Sequence, residues 1–181
     1  MLVTETKLKG CFVLQPAIFK DKRGYFIESF NQETFNHTLG INVNFVQDNE
    51  SQSLKGVLRG LHYQTGEHAQ AKLVRVIKGR VLDIVLDIRK GSKTFGDYFS
   101  IELNAENKTQ LYVPRGFAHG FIVLEDETIF SYKCDNLYNK ASEAGIIYND
   151  QDLNINWELP ENDFIISEKD TVLPKFKDAF V

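Results

Sequence analysis

The sequence predicts a mainly β protein, an antiparallel jelly-roll barrel with a few short peripheral helices. Several segments of strand length alternate apolar and polar residues with a period of two. Turn signals separate these segments at short intervals. Aromatic residues, which favour sheets, make up 12% of the 181 residues. Many short strands with such spacing are typical of a double-sheet barrel, and this length predicts one domain over residues 1–181.

The clearest strand prediction covers residues 81–88. Its even-numbered positions are Leu or Ile and share one face, whereas Asp83 and Asp87 lie on the other face. Further strands are predicted at residues 73–77, 99–103, 121–124 and 128–132. Turns are predicted between them at residues 78–79, 90–92, 104–107 and 125–127.

Helices are expected to be short. Residues 32–38 can form one helix, because Asn31 precedes them as a candidate N-cap. The segment from Asp163 onward is expected to pack another short helix or a loop against the barrel.

Charge and composition exclude several functions. The formal net charge of −4 argues against general attraction to nucleic acid or to anionic membranes. No apolar run is long enough to span a bilayer, and the first ten residues lack the apolar core of a secretory signal. Cys11 and Cys134 lie far apart, which predicts two separate reduced thiols in a cytoplasmic protein.

Histidine placement bears on metal binding. His119 ends a Pro-x-Gly-x-x-His segment that resembles the second motif of the cupin jelly rolls, where this histidine binds a metal. The first cupin motif requires His-x-His, but this chain has His62 and His68, six residues apart. Lys72 nearby would repel a divalent cation. The sequence therefore predicts no bound metal and no cofactor.

Without a metal, the same residue types suit removal of a proton beside a carbonyl. An imidazole, whose unperturbed pKa lies near neutrality, can act as general base. A lysine can stabilise the enolate oxygen, and a tyrosine can return a proton from the opposite side. Each residue type also has a structural alternative: a hydrogen-bonded core histidine, a solvated lysine or a packed tyrosine. His37 and His68 are expected at the surface.

Several motifs are spread along the chain. They are Arg-Gly-Tyr-Phe-Ile-Glu at 23–28, Gln-Asp-Asn-Glu-Ser at 47–51, Arg-Gly-Leu-His-Tyr-Gln at 59–64, Gln-Ala-Lys-Leu-Val at 70–74, Pro-Arg-Gly-Phe-Ala-His-Gly-Phe at 114–121, Tyr132-Lys133 and Trp157. They resemble motifs of the dTDP-4-dehydrorhamnose 3,5-epimerase family and occur in that family's order, so together they are far more specific than any one alone. The resemblance runs from about residue 12 to about residue 174, which is nearly the whole chain.

The resemblance implies a role for particular residues. It implies His62 as the base, Asp170 as its partner, Tyr132 as the acid on the opposite face and Lys72 beside the 4-keto oxygen. Substrate contacts are implied for Gln47, Asn49, Arg59, His119, Tyr138, Glu143 and Lys169. Arg23 and Glu28 would reach into the neighbouring subunit's site, so a homodimer is implied.

The implied substrate is dTDP-4-dehydro-6-deoxy-α-D-glucose, a dTDP-4-keto-6-deoxy sugar, and the implied product is dTDP-4-dehydro-β-L-rhamnose for bacterial surface polysaccharide. Other hypotheses stay open at this point. Asp170 could be a helix cap, with Asp83 facing the cavity in its place. The protein could invert carbon 3 or carbon 5 alone, could be a non-catalytic sugar-nucleotide-binding barrel, or could be a metal-dependent cupin oxygenase.

Overall fold

The computed structural model describes residues 1–180, and these form mainly β structure. The strands, numbered in chain order, are β1 Leu2–Glu5, β2 Phe12–Gln15, β3 Phe19–Asp21, β4 Gly24–Phe26, β5 Gln47–Ser53, β6 Val57–Gln64, β7 Lys72–Lys78, β8 Arg80–Asp87, β9 Tyr98–Asn104, β10 Gln110–Val113, β11 Phe117–Val123, β12 Thr128–Cys134, β13 Glu143–Gly145 and β14 Ile165–Ile166. The α-helices are α1 Gln32–Leu39 and α2 Glu168–Thr171. Short 3-10 helices cover Gly66–His68, Lys140–Ser142, Glu161–Asp163 and Phe176–Asp178.

Two sheets face each other, as predicted for an antiparallel jelly roll. The first has the strand order β1-β2-β10-β7-β12-β5. The second has the order β13-β6-β11-β8-β9, and β14 pairs in parallel with β6. Strands β3 and β4 form a separate exposed hairpin. Apart from β14, the sheet pairings are antiparallel within residues 1–180.

Strand β8 shows why both faces of the second sheet are buried. The alternation predicted for it is confirmed: Val81 and Val85 pack into the interior between the sheets, whereas Leu82, Ile84 and Leu86 pack on the outer face. Chain segments from residues 146–180 cover that outer face with side chains such as Trp157, which is 5% exposed. The predicted polar face of β8 is therefore the barrel interior, where Asp83 is fully buried.

The helix predicted after Asn31 is confirmed. The Asn31 side chain accepts a hydrogen bond from the Thr34 N–H and caps the first turn of α1. Gly40 ends the helix in a left-handed conformation with φ of 66°. The buried Phe35 of this helix packs in a third cluster, on the outer face of the first sheet.

The remaining predictions on the fold hold with adjusted bounds. The strand predicted at residues 121–124 begins earlier, at Phe117. The segment after Asp163 forms the short strand β14, α2 and one 3-10 helix. Cys11 and Cys134 are free, buried thiols. Within residues 1–180, no helix has the length and apolar character that crossing a membrane requires.

Candidate active site

A cavity of about 650 Å³ opens between the two sheets. The first sheet contributes side chains from β5, β7 and β12, and the second from β6, β11 and β13. The C-terminal segment around β14 and α2 closes one side. The predicted site residues that line it are Asn49, Arg59, His62, Lys72, His119, Tyr132, Glu143, Lys169 and Asp170.

His62 and Asp170 form a close pair at this cavity. The Nε2 of His62 lies 2.7 Å from Oδ1 of Asp170. The Asp170 side chain is 3% exposed, whereas that of His62 is 26% exposed and reaches the cavity. The structure therefore brings together two residues that are 108 positions apart in sequence. This geometry resolves the alternative for Asp170, because its carboxylate bonds to the imidazole instead of capping α2.

Opposing effects act on the Asp170 carboxyl. Burial acts to raise its pKa, but the hydrogen bond and charge of His62 outweigh burial, with a smaller contribution from the Gly60 N–H at 3.5 Å. The pKa of Asp170 is therefore lower than usual. An ionised carboxylate accepts the hydrogen on Nε2 of His62, which leaves Nδ1 of that ring free to take a proton.

A second pair is formed by His119 and Asp83. Nε2 of His119 lies 3.0 Å from both carboxylate oxygens of Asp83. His119 is 6% exposed and Asp83 is fully buried. Burial raises the pKa of the Asp83 carboxyl, against the opposing charges of His119 and Lys72. Asp83 does face the interior, as the alternative to Asp170 required, but its partner is His119 and not His62.

Gly60 and Gly120 bring strands β6 and β11 close together beside this second pair. A Cβ on Gly60 would lie 2.6 Å from the Cα of Gly120, so no larger residue fits there. The φ of Gly60 is +117°, which also favours glycine. His62 and His119 face each other across this pair of strands in the register.

Lys72 and Tyr132 lie on the opposing sheet. Strands β7 and β12 are neighbours, and the Lys72 Nζ is 6.0 Å from the centre of the Tyr132 ring. Burial lowers the pKa of Lys72, although charges at Cys134, Asp83 and Glu143 act in the other direction. Burial also raises the pKa of the Tyr132 phenol, so this group is protonated at neutral pH.

At the rim, a hydrogen-bonded chain links three predicted substrate contacts. The Tyr138 hydroxyl donates to Glu143 at 2.8 Å, and Lys169 Nζ donates to the other Glu143 oxygen at 2.7 Å. The bond from Lys169 lowers the pKa of Glu143, against a smaller effect of burial. Lys169 immediately precedes Asp170, so these hydrogen bonds connect the exposed Tyr138 to the end of the cavity where His62 and Asp170 pair.

Two polar residues of β5 extend the site toward Tyr138. Gln47 donates from Nε2 to the Asn49 side chain at 3.0 Å and accepts the Tyr138 N–H at 3.0 Å. Asn49 stands directly opposite Tyr132 in the sheet. In the second sheet, Arg59 donates to Ser53 at 3.3 Å and faces the cavity. Gln47 and Tyr138 thus belong to the rim and not to the cavity wall.

Arg23 and Glu28 lie outside this cavity. Arg23 is in the exposed turn between β3 and β4, where it pairs with Asp21 at 2.6 Å. Glu28 borders a separate, mainly apolar cavity of about 310 Å³ beside the same hairpin. Their assignment to a neighbouring subunit's site stays a prediction.

His62 and His68 were the two histidines of the chain compared with the first cupin metal-binding motif. Their six-residue spacing does not place them on one strand, because β6 ends at Gln64 and His68 lies in a 3-10 helix. There Nε2 of His68 contacts the Asn139 side chain at 3.1 Å. His37 lies exposed in α1. Among residues 1–180, no group of three or more His, Cys, Asp or Glu side chains is arranged to hold a metal ion.

Some site residues had no sequence signal of their own. Ile165, Ile166 and Ser167 line the cavity, yet nothing in their local sequence distinguishes them. Ser51 also lines the cavity; it ends the motif at 47–51 but was not predicted as a site residue, although the alternation of β5 puts it on the same face as Asn49. No such rule could have found β14, a strand of two residues.

Comparisons with known proteins agree with one another. A family model described as dTDP-4-dehydrorhamnose 3,5-epimerase matches residues 5–178. The dTDP-4-dehydrorhamnose 3,5-epimerase of Shigella flexneri is 50% identical over 179 residues, which cover 99% of this chain and 98% of the relative. The crystal structure of the enzyme of that name from Elizabethkingia anophelis has a TM-score of 0.95 and 56% identity, with 98% of this chain and 97% of that chain covered.

A second solved structure contains a ligand. The dTDP-6-deoxy-D-glucose-3,5-epimerase from Legionella pneumophila, in complex with dTDP-4-keto-L-rhamnose, is 44% identical. Its TM-score is 0.94, and the match covers 98% of this chain and 93% of that one.

Proposed function

This chain belongs to the dTDP-4-dehydrorhamnose 3,5-epimerase family, and from that membership we propose the reaction that its cavity carries out. The protein is an isomerase that converts dTDP-4-dehydro-6-deoxy-α-D-glucose to dTDP-4-dehydro-β-L-rhamnose. It inverts carbons 3 and 5, which flank the 4-keto group, by removing one proton and returning another at each carbon. The curated relatives carry this activity in their names, and the Legionella relative binds a dTDP-4-keto sugar.

One observation carries the proposal. His62 on the second sheet is paired with the carboxylate of Asp170 in α2, and a protonated tyrosine stands on the first sheet across the same cavity. Inversion at carbon needs a proton to leave from one side and another to arrive from the other side. A single acid–base group would return the proton to the side from which it came. A binding protein has no need of this two-sided arrangement.

His62 is the proposed base. Asp170 bonds to its Nε2, so the proton from the sugar carbon goes to Nδ1. The resulting imidazolium is stabilised by a carboxylate that is buried and held 2.7 Å away. General base catalysis of this kind contributes about 10²–10⁴-fold to a rate.

Lys72 is the proposed stabiliser of the enolate. When the proton leaves carbon 3 or carbon 5, negative charge develops on the oxygen at carbon 4. Lys72 is half-buried in the cavity wall, and none of the salt bridges among residues 1–180 includes its ammonium group. Burial makes its charge costly until an anion forms nearby, so its interaction with the enolate is stronger than with the neutral ketone. His119, held by Asp83, is proposed to contact the sugar.

Tyr132 is the proposed acid. Its phenol stays protonated because burial raises its pKa. It can therefore deliver a proton to the face of the enolate opposite His62. The phenolate that remains lies beside Lys72, whose Nζ is 6.0 Å from the ring centre, and the lysine charge stabilises it.

The nucleotide end of the substrate is proposed to lie at the rim. Tyr138, which is 51% exposed, offers a ring on which the thymine can stack. Gln47 and Asn49 lie along the path from that ring into the cavity, and Arg59 offers its guanidinium to the diphosphate. These roles rest on the positions of the side chains together with the family's pattern.

A homodimer is part of the proposal. The β3–β4 hairpin exposes large apolar residues, with Phe19 63% and Phe26 67% exposed, and such a patch is typical of an interface. Arg23 and Glu28 lie on or beside this hairpin, from which they would enter the partner's cavity. The proposed compartment is the cytoplasm, because free thiols at Cys11 and Cys134 fit a reducing environment.

The test is isotope exchange. The protein is incubated with dTDP-4-dehydro-6-deoxy-glucose in deuterated water, and the sugar carbons are followed by NMR. Deuterium at both carbon 3 and carbon 5, with formation of the L-rhamno product, is the expected result. Deuterium at one carbon alone would show that the protein is a single-site epimerase. No exchange above a protein-free control would refute the proposed reaction.

A further inference from the structure

The rim loop that carries Tyr138 is held by side-chain amides. The Tyr138 N–H donates to Oε1 of Gln47 at 3.0 Å, and the next N–H along the chain, that of Asn139, donates to Oε1 of Gln64 at 3.0 Å. The two glutamines come from different sheets, because Gln47 begins β5 and Gln64 ends β6. Two consecutive peptide groups are thus fixed from both sides of the barrel mouth.

Gln64 is the buried member of this pair of supports. It is 8% exposed, and it stands opposite Glu143 in the pairing of β6 with β13. It lies two residues after His62, so its backbone belongs to the strand that carries the base. A buried side-chain amide at the end of a strand can hold a loop in one position, because neighbouring backbone hydrogen bonds and packing already restrict the motion of that side chain.

Tyr138 depends on such supports for its position. Its ring is half exposed, so packing alone does not hold it. Asn139, the residue that Gln64 holds, accepts the N–H groups of Ala141 and Ser142 and thereby begins the 3-10 helix that leads into Glu143. Glu143 in turn accepts the Tyr138 hydroxyl. Loss of the hydrogen bond from the Asn139 N–H would therefore loosen the backbone that carries Tyr138 and also the position of Glu143, which accepts the Tyr138 hydroxyl.

We propose that Gln64 is a positioning residue, which holds the Tyr138 loop in the conformation that receives the nucleotide. This inference rests on the proposed function, which places the nucleotide at Tyr138. Gln64 does not line the cavity that holds the base, and it acts through the loop. A loop that is ordered before binding loses less conformational entropy when the ligand arrives, so Gln64 contributes to nucleotide affinity and not to proton transfer.

The test compares Gln64→Leu, which removes the acceptor, with Gln64→Glu, which keeps an acceptor oxygen at the same distance. The dissociation constant of dTDP is measured by calorimetry, and KM and kcat are measured with the sugar nucleotide. Gln64→Leu is expected to weaken dTDP binding and to raise KM by about tenfold, equal to about 1.4 kcal/mol. Its kcat is expected to stay within about threefold, because His62 keeps Asp170. Gln64→Glu is expected to restore affinity to within about threefold of wild type.

A double-mutant cycle separates positioning from a general loss of stability. Tyr138→Ala removes the ring, and Gln64→Leu on that background is expected to change dTDP affinity by less than about twofold. Gln52→Leu makes the same change at an exposed position of β5 and is expected to leave affinity unchanged. If Gln64→Leu does not fold, Gln64→Asn withdraws the acceptor by one methylene group and takes its place.

The outcomes distinguish this inference from the proposed reaction. If the wild-type protein turns the sugar nucleotide over while Gln64→Leu binds dTDP as tightly as wild type, the role of Gln64 is overturned and the reaction stands. If the wild-type protein binds dTDP without turnover, the reaction is overturned, and the affinity of Gln64→Leu still decides the role of Gln64. Equal losses in kcat and in affinity, or additive effects in the cycle, would contradict positioning through the loop. Absence of dTDP binding to the wild-type protein would overturn both.

Discussion

The Asp170→Asn substitution tests the pairing of His62 with Asp170 by changing its buried member. The asparagine amide has nearly the same shape, so the change removes the charge that faces His62 and little else. The two side chains are 2.7 Å apart and Asp170 is 3% exposed, so solvent screens this charge weakly. A charge-assisted bond contributes about 2 kcal/mol, and two unit charges 4 Å apart interact by about 4 kcal/mol at an effective dielectric constant of 20. At about 1.4 kcal/mol for each factor of ten, kcat should fall roughly 30- to 1,000-fold.

The assay is the initial rate of deuterium entry at carbon 3 and carbon 5, with dTDP affinity measured alongside. Affinity should be nearly unchanged, because Asp170 lies behind His62 and not at the nucleotide end. Glu168→Gln is the matched control, since it removes a charge from an exposed position of the same helix, α2. Retention of more than half of the wild-type kcat by Asp170→Asn, or an equal loss in Glu168→Gln, would refute the reasoning.

Three further predictions concern the acid, the stability at low pH and the thiols. Tyr132→Phe should lower kcat by about 10²–10⁴-fold while Tyr98→Phe does not, and an unchanged rate and product would remove Tyr132 from the mechanism. Asp87 is buried, and burial would raise its pKa, but hydrogen bonds from a neighbouring arginine and two hydroxyl groups outweigh burial and lower it. Its stabilising effect is therefore present above its ordinary pKa of 3.8 and is lost as the pH falls below that value. Asp87→Asn should reduce the free energy of unfolding at pH 7 by about 2–4 kcal/mol, as measured by urea titration. Between pH 5 and pH 3 the free energy of unfolding should also decline less steeply in the variant than in the wild-type protein. Equal slopes for the two proteins would contradict this. Burial raises the pKa of Cys11 to about 12 and that of Cys134 to about 11, so neither should react with a thiol reagent at pH 8 until urea unfolds the protein, and rapid labelling of the native protein would contradict this.

Much of the fold could be predicted because alternation is a local property. The strand predicted at residues 81–88 lies within one residue of β8, and the helix predicted at 32–38 lies within one residue of α1. The short strands β13 and β14 could not be predicted, since their two or three residues carry no period. They form along the edge of β6 that β11 leaves free, where β13 pairs with residues 62–64 and β14 pairs with residues 57–58.

The candidate site divides in the same way. The motifs identified His62, Lys72 and Tyr132 as site residues, and the strands that carry them in the structure determine which face each side chain takes. The resemblance implied Asp170 as the partner of His62 but left Asp83 open as an alternative. That choice depends on how residues 160–170 run along the edge of β6, which is a contact between distant parts of the chain.

The sequence by itself determined the fold class, the helix cap at Asn31, the absence of a long apolar segment and the residue types of a proton-transfer site, because composition, period and motif are read along the chain. Only the tertiary structure decided which side chains form hydrogen bonds across the fold: Asp170 with His62, Asp83 with His119, and Gln64 with the loop that carries Tyr138. Each of these bonds joins residues at least 36 positions apart. Such a bond is set by the register and packing of whole strands, and no local pattern encodes it.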